Sequence, residues 1–292
     1  MDLDNTINLW VTRMEASNQT EQYSVTTELN DGIERITYTP RDKRHDTPIL
    51  MQHGMWHGAW CWAEWQGLLA QQGWESHAIS LPGHGASPAQ KSVRFSTMGD
   101  YLKVLKQEVD RLPRKPILMG HSMGGALAQW YLKKVADDLP AVVLVASWTA
   151  HSTMGDGALL HLKRDPLGFM LVGLTLSTHP FIRSAERAAS MLITEGALHT
   201  PEELHEKLCE ESALVLNQHN PPLWRPLRSP KTPILWLGAE RDAVISQKGA
   251  RKSAAFYGAD FQLIENAGHN LMMEKNYAET AQEIERWLTA TI

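Results

Sequence analysis

The chain has little of what marks secreted or membrane-spanning proteins. It contains 2 cysteines in 292 residues. Because Cys61 and Cys209 are far apart in sequence, we expect two free, buried thiols, as in a reducing compartment. The first residues, "MDLDNTINLW", lack the basic-then-apolar pattern of a secretory signal. The longest apolar run, "GFMLVGLTL", is too short to span a bilayer, so no stable membrane insertion is expected. These absences predict a cytoplasmic protein.

Long runs of one charge are also missing. The formal net charge is -5, and no basic patch is visible, so nucleic acid is not an expected partner. No repeat or low-complexity tract interrupts the chain. Its length and its 43% of hydrophobic residues indicate one large domain, or a domain with an insertion. No cofactor and no metal are expected, and the oligomeric state is left open.

Short apolar segments of strand length alternate with helical patterns. This alternation predicts an α/β fold with a mostly parallel central sheet flanked by helices. The segments before and after Asp31-Gly32 predict an additional hairpin. The predicted strands are "PILMQHG", "ESHAISL", "PILMGHS", "AVVLVAS", "TPILWLGAERD" and "DFQLIENAGH". The predicted helices are 60–72, 98–112, 124–136, 247–257 and 274–289.

The alternation stops between Ser147 and Pro230, where the pattern is helical. We therefore predict a core domain of residues 1–147 and 231–292 and an inserted helical cap of residues 148–230, above the carboxyl ends of the strands. Thr200, followed by proline and by a capping-box glutamate, predicts one helix start in this cap.

The cap contains an apolar run, Asp165 to Ile182, that something must cover. Two interpretations stay open. The run is core of the cap, or its inner face forms the roof of the substrate pocket. The candidate roof residues are Phe169, Met170, Val172, Leu174 and Leu176.

Ser122 lies in "GHSMGG", between an apolar strand and a helix. A sharp turn at this point strains the serine backbone and requires small neighbours two positions away, which Gly120 and Gly124 provide. Such a turn presents the hydroxyl beside the free N–H groups of a helix N-terminus. The context predicts that Ser122 is a nucleophile rather than a chance match.

A serine hydroxyl needs a base, and the chain has 13 histidines. His269 is the predicted base, because it follows the last strand and would emerge at the same sheet edge as Ser122. His121 adjoins the serine but is expected to point away from it. His84 lies in a loop, where local hydrogen bonding is the expected role.

The base needs a carboxylate to orient it. Asp242 is preferred to Glu240, because it lies beyond the strand end and can reach the histidine loop. The predicted oxyanion donors are the backbone N–H groups of Met123 and Met55, with Trp56 as the weaker alternative to Met55.

These motifs together resemble the α/β-hydrolase superfamily. The residues that carry the resemblance are "HG" at His53, "LPGHGAS" at Leu81, "GHSMGG" at Gly120, "LGAERD" at Leu237 and "AGH" at Ala267. They extend from about Pro48 to the C-terminus and are specific for the fold rather than for a substrate.

The stretch "HGMWHGAWCWAEW" is similar to the oxyanion region of the small methylesterase and hydroxynitrile-lyase group. The lyases of that group typically have a threonine where this chain has Gly54 and a lysine where it has Asn270, so the resemblance favours an esterase. Menaquinone-pathway lyases of this fold have an arginine where this chain has Ala126. Epoxide hydrolases and dehalogenases use an aspartate where this chain has Ser122.

The predicted function is therefore hydrolysis of a carboxylic ester of a small, largely apolar molecule through an acyl-enzyme. The predicted pocket residues are Trp56, Trp148 and His53, and His53 is also expected to support its loop by hydrogen bonding. Two alternatives stay open. The same triad acts on a thioester, amide, lactone or carbon–carbon bond, or the chain is a non-catalytic small-molecule receptor.

Overall fold

The computed structural model of the protein describes residues 15–19 and 22–292, which form a nine-stranded sheet flanked by helices. This is the predicted α/β class. The strands are β1 (Glu15–Gln19), β2 (Tyr23–Asn30), β3 (Ile33–Pro40), β4 (Ile49–Gln52), β5 (Ser76–Ser80), β6 (Ile117–His121), β7 (Val142–Val145), β8 (Ile234–Ala239) and β9 (Asp260–Ile264).

The five helices predicted with bounds are present, with ends that differ by a few residues. One prediction, residues 60–72, divides into a short 3₁₀ turn and a helix. The helices are α1 (Ala63–Gln71), α2 (Met98–Arg111), α3 (Met123–Lys134), α4 (Thr153–Arg164), α5 (Pro166–Thr175), α6 (Ala185–Leu192), α7 (Pro201–Lys207), α8 (Ala213–Gln218), α9 (Gln247–Tyr257) and α10 (Tyr277–Thr291).

The sheet is antiparallel at one end and parallel elsewhere, in the order β1-β2-β3-β5-β4-β6-β7-β8-β9. The predicted hairpin is present, since β2 and β3 pair antiparallel. Its turn residues Asp31 and Gly32 both have positive φ angles, as a two-residue turn of this type requires. The strands β4, β6, β7 and β8 are buried along their whole length, which explains why they read as continuous apolar runs.

The parallel strands bring several chain segments to one edge of the sheet. Residues 53–56 follow β4, Ser122 follows β6, Trp148 follows β7, Asp242 follows β8 and His269 follows β9. The chain order reverses between β4 and β6, which are neighbours in the sheet. Ligands of open α/β sheets bind at such a reversal, beyond the carboxyl ends of the strands.

Five helices, α4 to α8, lie between β7 and β8, in the part of the chain where the sequence has no convincing strand. We call residues 148–230 the cap; its status as a separate domain stays a prediction. The helix start predicted at Thr200 is present, because the Thr200 hydroxyl accepts a hydrogen bond from the Glu203 N–H and the Glu203 carboxylate accepts one from the Thr200 N–H.

The apolar run of the cap is arranged differently from either interpretation. Of the candidate roof residues, Phe169 lines a cavity and Val172 packs on the core. Met170 and Leu174 face outward on α5 and are 56% and 73% exposed, and Leu176 is 39% exposed. The expectation that Leu174 and Met170 cover the pocket is therefore wrong, because a helix that is apolar all round can turn only one face inward.

The two cysteines are free, as predicted; Cys61 is buried and Cys209 is half-buried. Within the described residues, none of the helices combines the length and apolarity needed to cross a membrane.

Candidate active site

Ser122 occupies a strained turn between β6 and α3. Its φ angle is +51°, a value that residues other than glycine rarely adopt. The two glycines near it are required by close approach of the backbone. A Cβ atom on Gly120 would lie 2.4 Å from the Gly124 carbonyl oxygen, and one on Gly124 would lie 2.2 Å from the Gln52 carbonyl oxygen. The motif therefore has the physical cause that the sequence suggested.

Three predicted residues meet in one hydrogen-bonded line. The Ser122 Oγ lies 2.9 Å from His269 Nε2. On the other side of the ring, His269 Nδ1 lies 3.0 and 2.9 Å from the two carboxylate oxygens of Asp242. Since the carboxylate can only accept, Nδ1 carries the proton and Nε2 is free to accept the serine proton.

The Asp242 carboxylate is itself oriented by the loop that follows β8. Its Oδ1 accepts hydrogen bonds from the N–H groups of Val244 and Ile245, at 2.8 and 2.9 Å. The side chains of Asp242 and His269 are each only 2% exposed, so water barely competes for their hydrogen bond. The alternative carboxylate, Glu240, instead accepts a hydrogen bond from the Asn266 N–H.

Two backbone N–H groups are the predicted donors to a developing oxyanion. Met123 is the first residue of α3, where the N–H groups have no intrahelical acceptor. Met55 belongs to the loop after β4 and lines the same cavity as Ser122. Gly54 brings this loop close to the serine, since a Cβ atom on it would lie 3.0 Å from the Ser122 Cβ. Their role as oxyanion donors stays a prediction.

His57 is a residue of this site that the sequence argument missed. Its Nδ1–H donates to the Met55 carbonyl oxygen at 2.6 Å, and its Nε2 accepts from the Asn270 amide at 3.0 Å. Burial lowers the pKa of His57 to about 4, so the ring is neutral at pH 7. Its position inside "HGMWHGAW", the loop already chosen for Met55, was the available signal.

A cavity opens above Ser122, between the sheet edge and the cap. Its volume is about 60 Å³. Its walls are mostly aromatic, aliphatic and thioether side chains, and the described residues that line it include no Lys, Arg, Asp or Glu. The lining residues are Met55, Trp56, His57, His121, Ser122, Trp148, Met154, Phe169, Phe181, Met191, Leu192, Leu216, Val244 and His269.

Trp56 and Trp148 line the cavity, where the sequence placed them. His53 does not, and its assignment to the pocket is wrong. It is fully buried below the loop, where its Nδ1–H donates to the Gly54 carbonyl oxygen at 2.7 Å and its Nε2 accepts from the Leu81 N–H at 3.0 Å. The expected role of His53 in supporting the loop agrees with these contacts.

His121 also lines the cavity, a position that the sequence did not assign to it. Its Nε2–H donates to the His269 carbonyl oxygen at 3.1 Å. Burial lowers its pKa well below the ordinary value. In the described part of the chain, no group of three or more His, Cys, Asp or Glu side chains is arranged to hold a metal ion.

Comparison with known families agrees with this geometry. Residues 49–283 match the alpha/beta hydrolase family, and the chain belongs to that family. The structure is similar to that of a monoacylglycerol lipase from Paleococcus ferrophilus, with a TM-score of 0.67 and 19% identity over 89% of this chain and 99% of that one. At this identity the likeness concerns the fold alone.

Curated relatives resemble part of the chain more closely. It is 30% identical to methylesterase 2 of Arabidopsis thaliana over 116 residues, which are 38% of this chain and 44% of that protein. It is 37% identical to norfluorocurarine synthase 2 of a Strychnos species over 135 residues, which are 44% of this chain and 49% of that protein. The chain thus spans about half the length of the curated relatives it matches. The predicted resemblance to methylesterases is confirmed.

Proposed function

We propose that the protein is a serine hydrolase that cleaves carboxylic esters of small, uncharged and largely apolar molecules. The observation that carries the proposal is the hydrogen-bonded line of Ser122, His269 and Asp242 at the floor of an apolar cavity. The methylesterase among the curated relatives supports the same reaction class.

In the proposed mechanism, Ser122 attacks the ester carbonyl while His269 Nε2 takes the hydroxyl proton. Asp242 stabilises the imidazolium that forms. The N–H groups of Met123 and Met55 bind the oxyanion of the tetrahedral intermediate. His269 then returns the proton to the leaving alcohol, and an acyl-enzyme remains on Ser122. A water molecule, activated in the same way by His269, then attacks the acyl-enzyme and releases the acid.

The cavity walls argue for an uncharged substrate. A charged group placed among Trp148, Phe169 and Phe181 would lose its hydration without gaining an ionic partner among the described lining residues. An apolar acyl or alcohol group, in contrast, gains binding energy from the aromatic walls. Both His57 and His121 are neutral, so they offer hydrogen bonds and no charge.

Activity-based labelling tests the proposal. A fluorophosphonate probe is expected to label the wild type, and Ser122→Ala is expected to remove labelling and turnover together. Ser147→Ala is a matched control, because Ser147 is also fully buried and follows β7 at the same sheet edge. It should remain labelled. Labelling that persists in Ser122→Ala would exclude this serine as the nucleophile.

A substrate panel of esters, thioesters, amides and lactones decides the bond that is cleaved. We expect the highest kcat/KM for neutral esters. Binding of an ester without turnover, in a protein whose Ser122 is not labelled, would instead favour the small-molecule receptor. Faster turnover of thioesters, amides or lactones than of esters would leave the proposed triad in place and change the proposed substrate class.

A further inference from the structure

Trp56 follows the predicted oxyanion donor Met55 and adopts an unusual backbone conformation. Its φ angle is +66°, in the left-handed region that disfavours a bulky residue. Such a conformation persists only where surrounding contacts hold it. The sequence of the loop offers no glycine at this position, so those contacts must come from elsewhere.

The contacts that hold Trp56 come from the cap. Its indole Nε1–H donates to the Thr178 hydroxyl at 2.9 Å. Its carbonyl oxygen accepts from the Cys209 N–H at 2.9 Å and from the Cys209 thiol at 3.2 Å. Both ends of the residue are thus tied to chain segments about 120 and 150 residues away. Trp56 is 5% exposed, so water hardly competes for these bonds.

Thr178 is in turn held by Glu211. The Glu211 carbonyl oxygen accepts from the Thr178 N–H at 2.8 Å and from the Thr178 hydroxyl at 3.2 Å. Because that hydroxyl donates its only proton to Glu211, its lone pairs are left to accept the indole N–H. The direction of each hydrogen bond is therefore determined, and the Trp56 indole has a defined partner.

The Glu211 carboxylate fastens this cap segment to the core. It accepts hydrogen bonds from the Tyr101 hydroxyl at 2.8 Å and from His84 at 3.1 Å, and both Glu211 and His84 are fully buried. Burial opposes a charge on His84, yet the carboxylate raises its pKa well above the ordinary value. This buried ion pair joins the "LPGHGAS" loop to the cap, although the mechanism proposed above uses neither residue.

We propose that Thr178 and Cys209 of the cap are positioning residues for the oxyanion site, acting through Trp56 on the N–H of Met55. The inference rests on the proposed function. The peptide units on either side of Met55 are held by core histidines, since His53 binds the Gly54 carbonyl and His57 binds the Met55 carbonyl. The cap supplies a further restraint on this loop through Trp56.

The pair Thr178→Val and Thr178→Ser tests the proposal. Valine keeps the shape of threonine but cannot accept the indole hydrogen bond, whereas serine can. Thr178 does not line the cavity, so the substitution removes no direct contact with the substrate. We expect Thr178→Val to lower kcat for p-nitrophenyl butyrate about tenfold with KM within about twofold, because the loss falls on the transition state. Thr178→Ser should restore kcat to within about twofold.

An alkyl trifluoromethyl ketone gives a second readout, because its adduct with Ser122 places an oxyanion in the site. Its affinity is expected to fall by the same factor as kcat in Thr178→Val. A double-mutant cycle with Trp56→Phe adds specificity. Once Trp56→Phe has removed the indole donor, adding Thr178→Val should lower kcat little further. If the two reductions in kcat multiply instead, the two residues act separately.

Cys209→Ala and Cys209→Ser provide an independent pair should Thr178→Val fail to fold. Serine can still donate to the Trp56 carbonyl oxygen, and alanine cannot, so kcat should fall only in Cys209→Ala. The proposal is overturned if either pair changes Tm or KM alone and leaves kcat and ketone affinity at wild-type values. A wild type without labelling or turnover would instead overturn the proposed function, so the two failures are distinguishable.

Discussion

The two faces of α5 predict opposite effects for two substitutions on the same helix. Phe169 is half-buried and lines the cavity, and its ring centroid lies 6.5 Å from that of Phe181. Leu174, in contrast, is 73% exposed. Phe169→Ala removes a six-membered ring from the cavity wall, which leaves space for roughly four methylene groups. Burial of each methylene contributes about 0.8 kcal/mol, or about fourfold in kcat/KM where it is realised in the transition state.

We therefore expect Phe169→Ala to move the preferred acyl chain about three to four carbons longer. At the new optimum, three added methylenes correspond to about 2.4 kcal/mol, or roughly 50-fold in kcat/KM. The assay is kcat/KM for p-nitrophenyl esters from acetyl to decanoyl. Leu174→Ala is the matched control and should leave the profile unchanged. An unshifted profile in Phe169→Ala, or a shift in Leu174→Ala, would refute the assignment of the two faces.

Three further predictions concern the loops around the serine. Asp242→Asn should lower kcat by a factor of about 10³–10⁴, because it favours the wrong tautomer of His269. Glu240→Gln should keep kcat within about twofold of the wild type. Steady-state kinetics of both variants test this, and a larger loss of kcat in Glu240→Gln would contradict it. Gly54→Ala should lower kcat about 100-fold, while the stoichiometry of Ser122 labelling stays unchanged. The reason is that the new Cβ atom would lie 2.7 Å from the nearest ring nitrogen of His121 and must displace the loop. A wild-type kcat in this variant would contradict the prediction. His57 has a pKa of about 4 folded and 6.5 unfolded, so its contribution to stability is complete above pH 6.5 and is lost as pH falls toward 4. Between pH 7.5 and 5, the free energy of unfolding of the wild type, measured by urea denaturation, should fall by roughly 2 kcal/mol more than that of His57→Gln. Equal decreases in the two proteins would exclude this linkage.

The pattern of the chain was sufficient for most of the fold. Strand-length apolar runs and helical periods are local properties, and parallel strands buried on both faces carry them strongly. The hairpin at Asp31-Gly32 and the helix start at Thr200 were predictable for the same reason, because turn and capping preferences depend on neighbouring residues.

The approach of Ser122, Asp242 and His269 to one another was also accessible from sequence. Ser122, Asp242 and His269 each follow a strand of a parallel sheet, and the carboxyl ends of such strands meet at one edge. Their approach to within hydrogen-bonding distance then follows from the strand order. The preference for Asp242 over Glu240 needed only the position of each residue relative to the end of β8.

The tertiary structure decided which side chains reach the cavity. His53 and His57 belong to one loop, yet only His57 lines the cavity, because the loop turns between them at the left-handed Trp56. The outward face of α5 likewise depends on how the cap docks, since a helix that is apolar all round has no hydrophobic period to orient it. The restraint of Trp56 by Thr178 and Cys209 joins residues more than 100 positions apart, and contacts of that range leave no local pattern in the sequence.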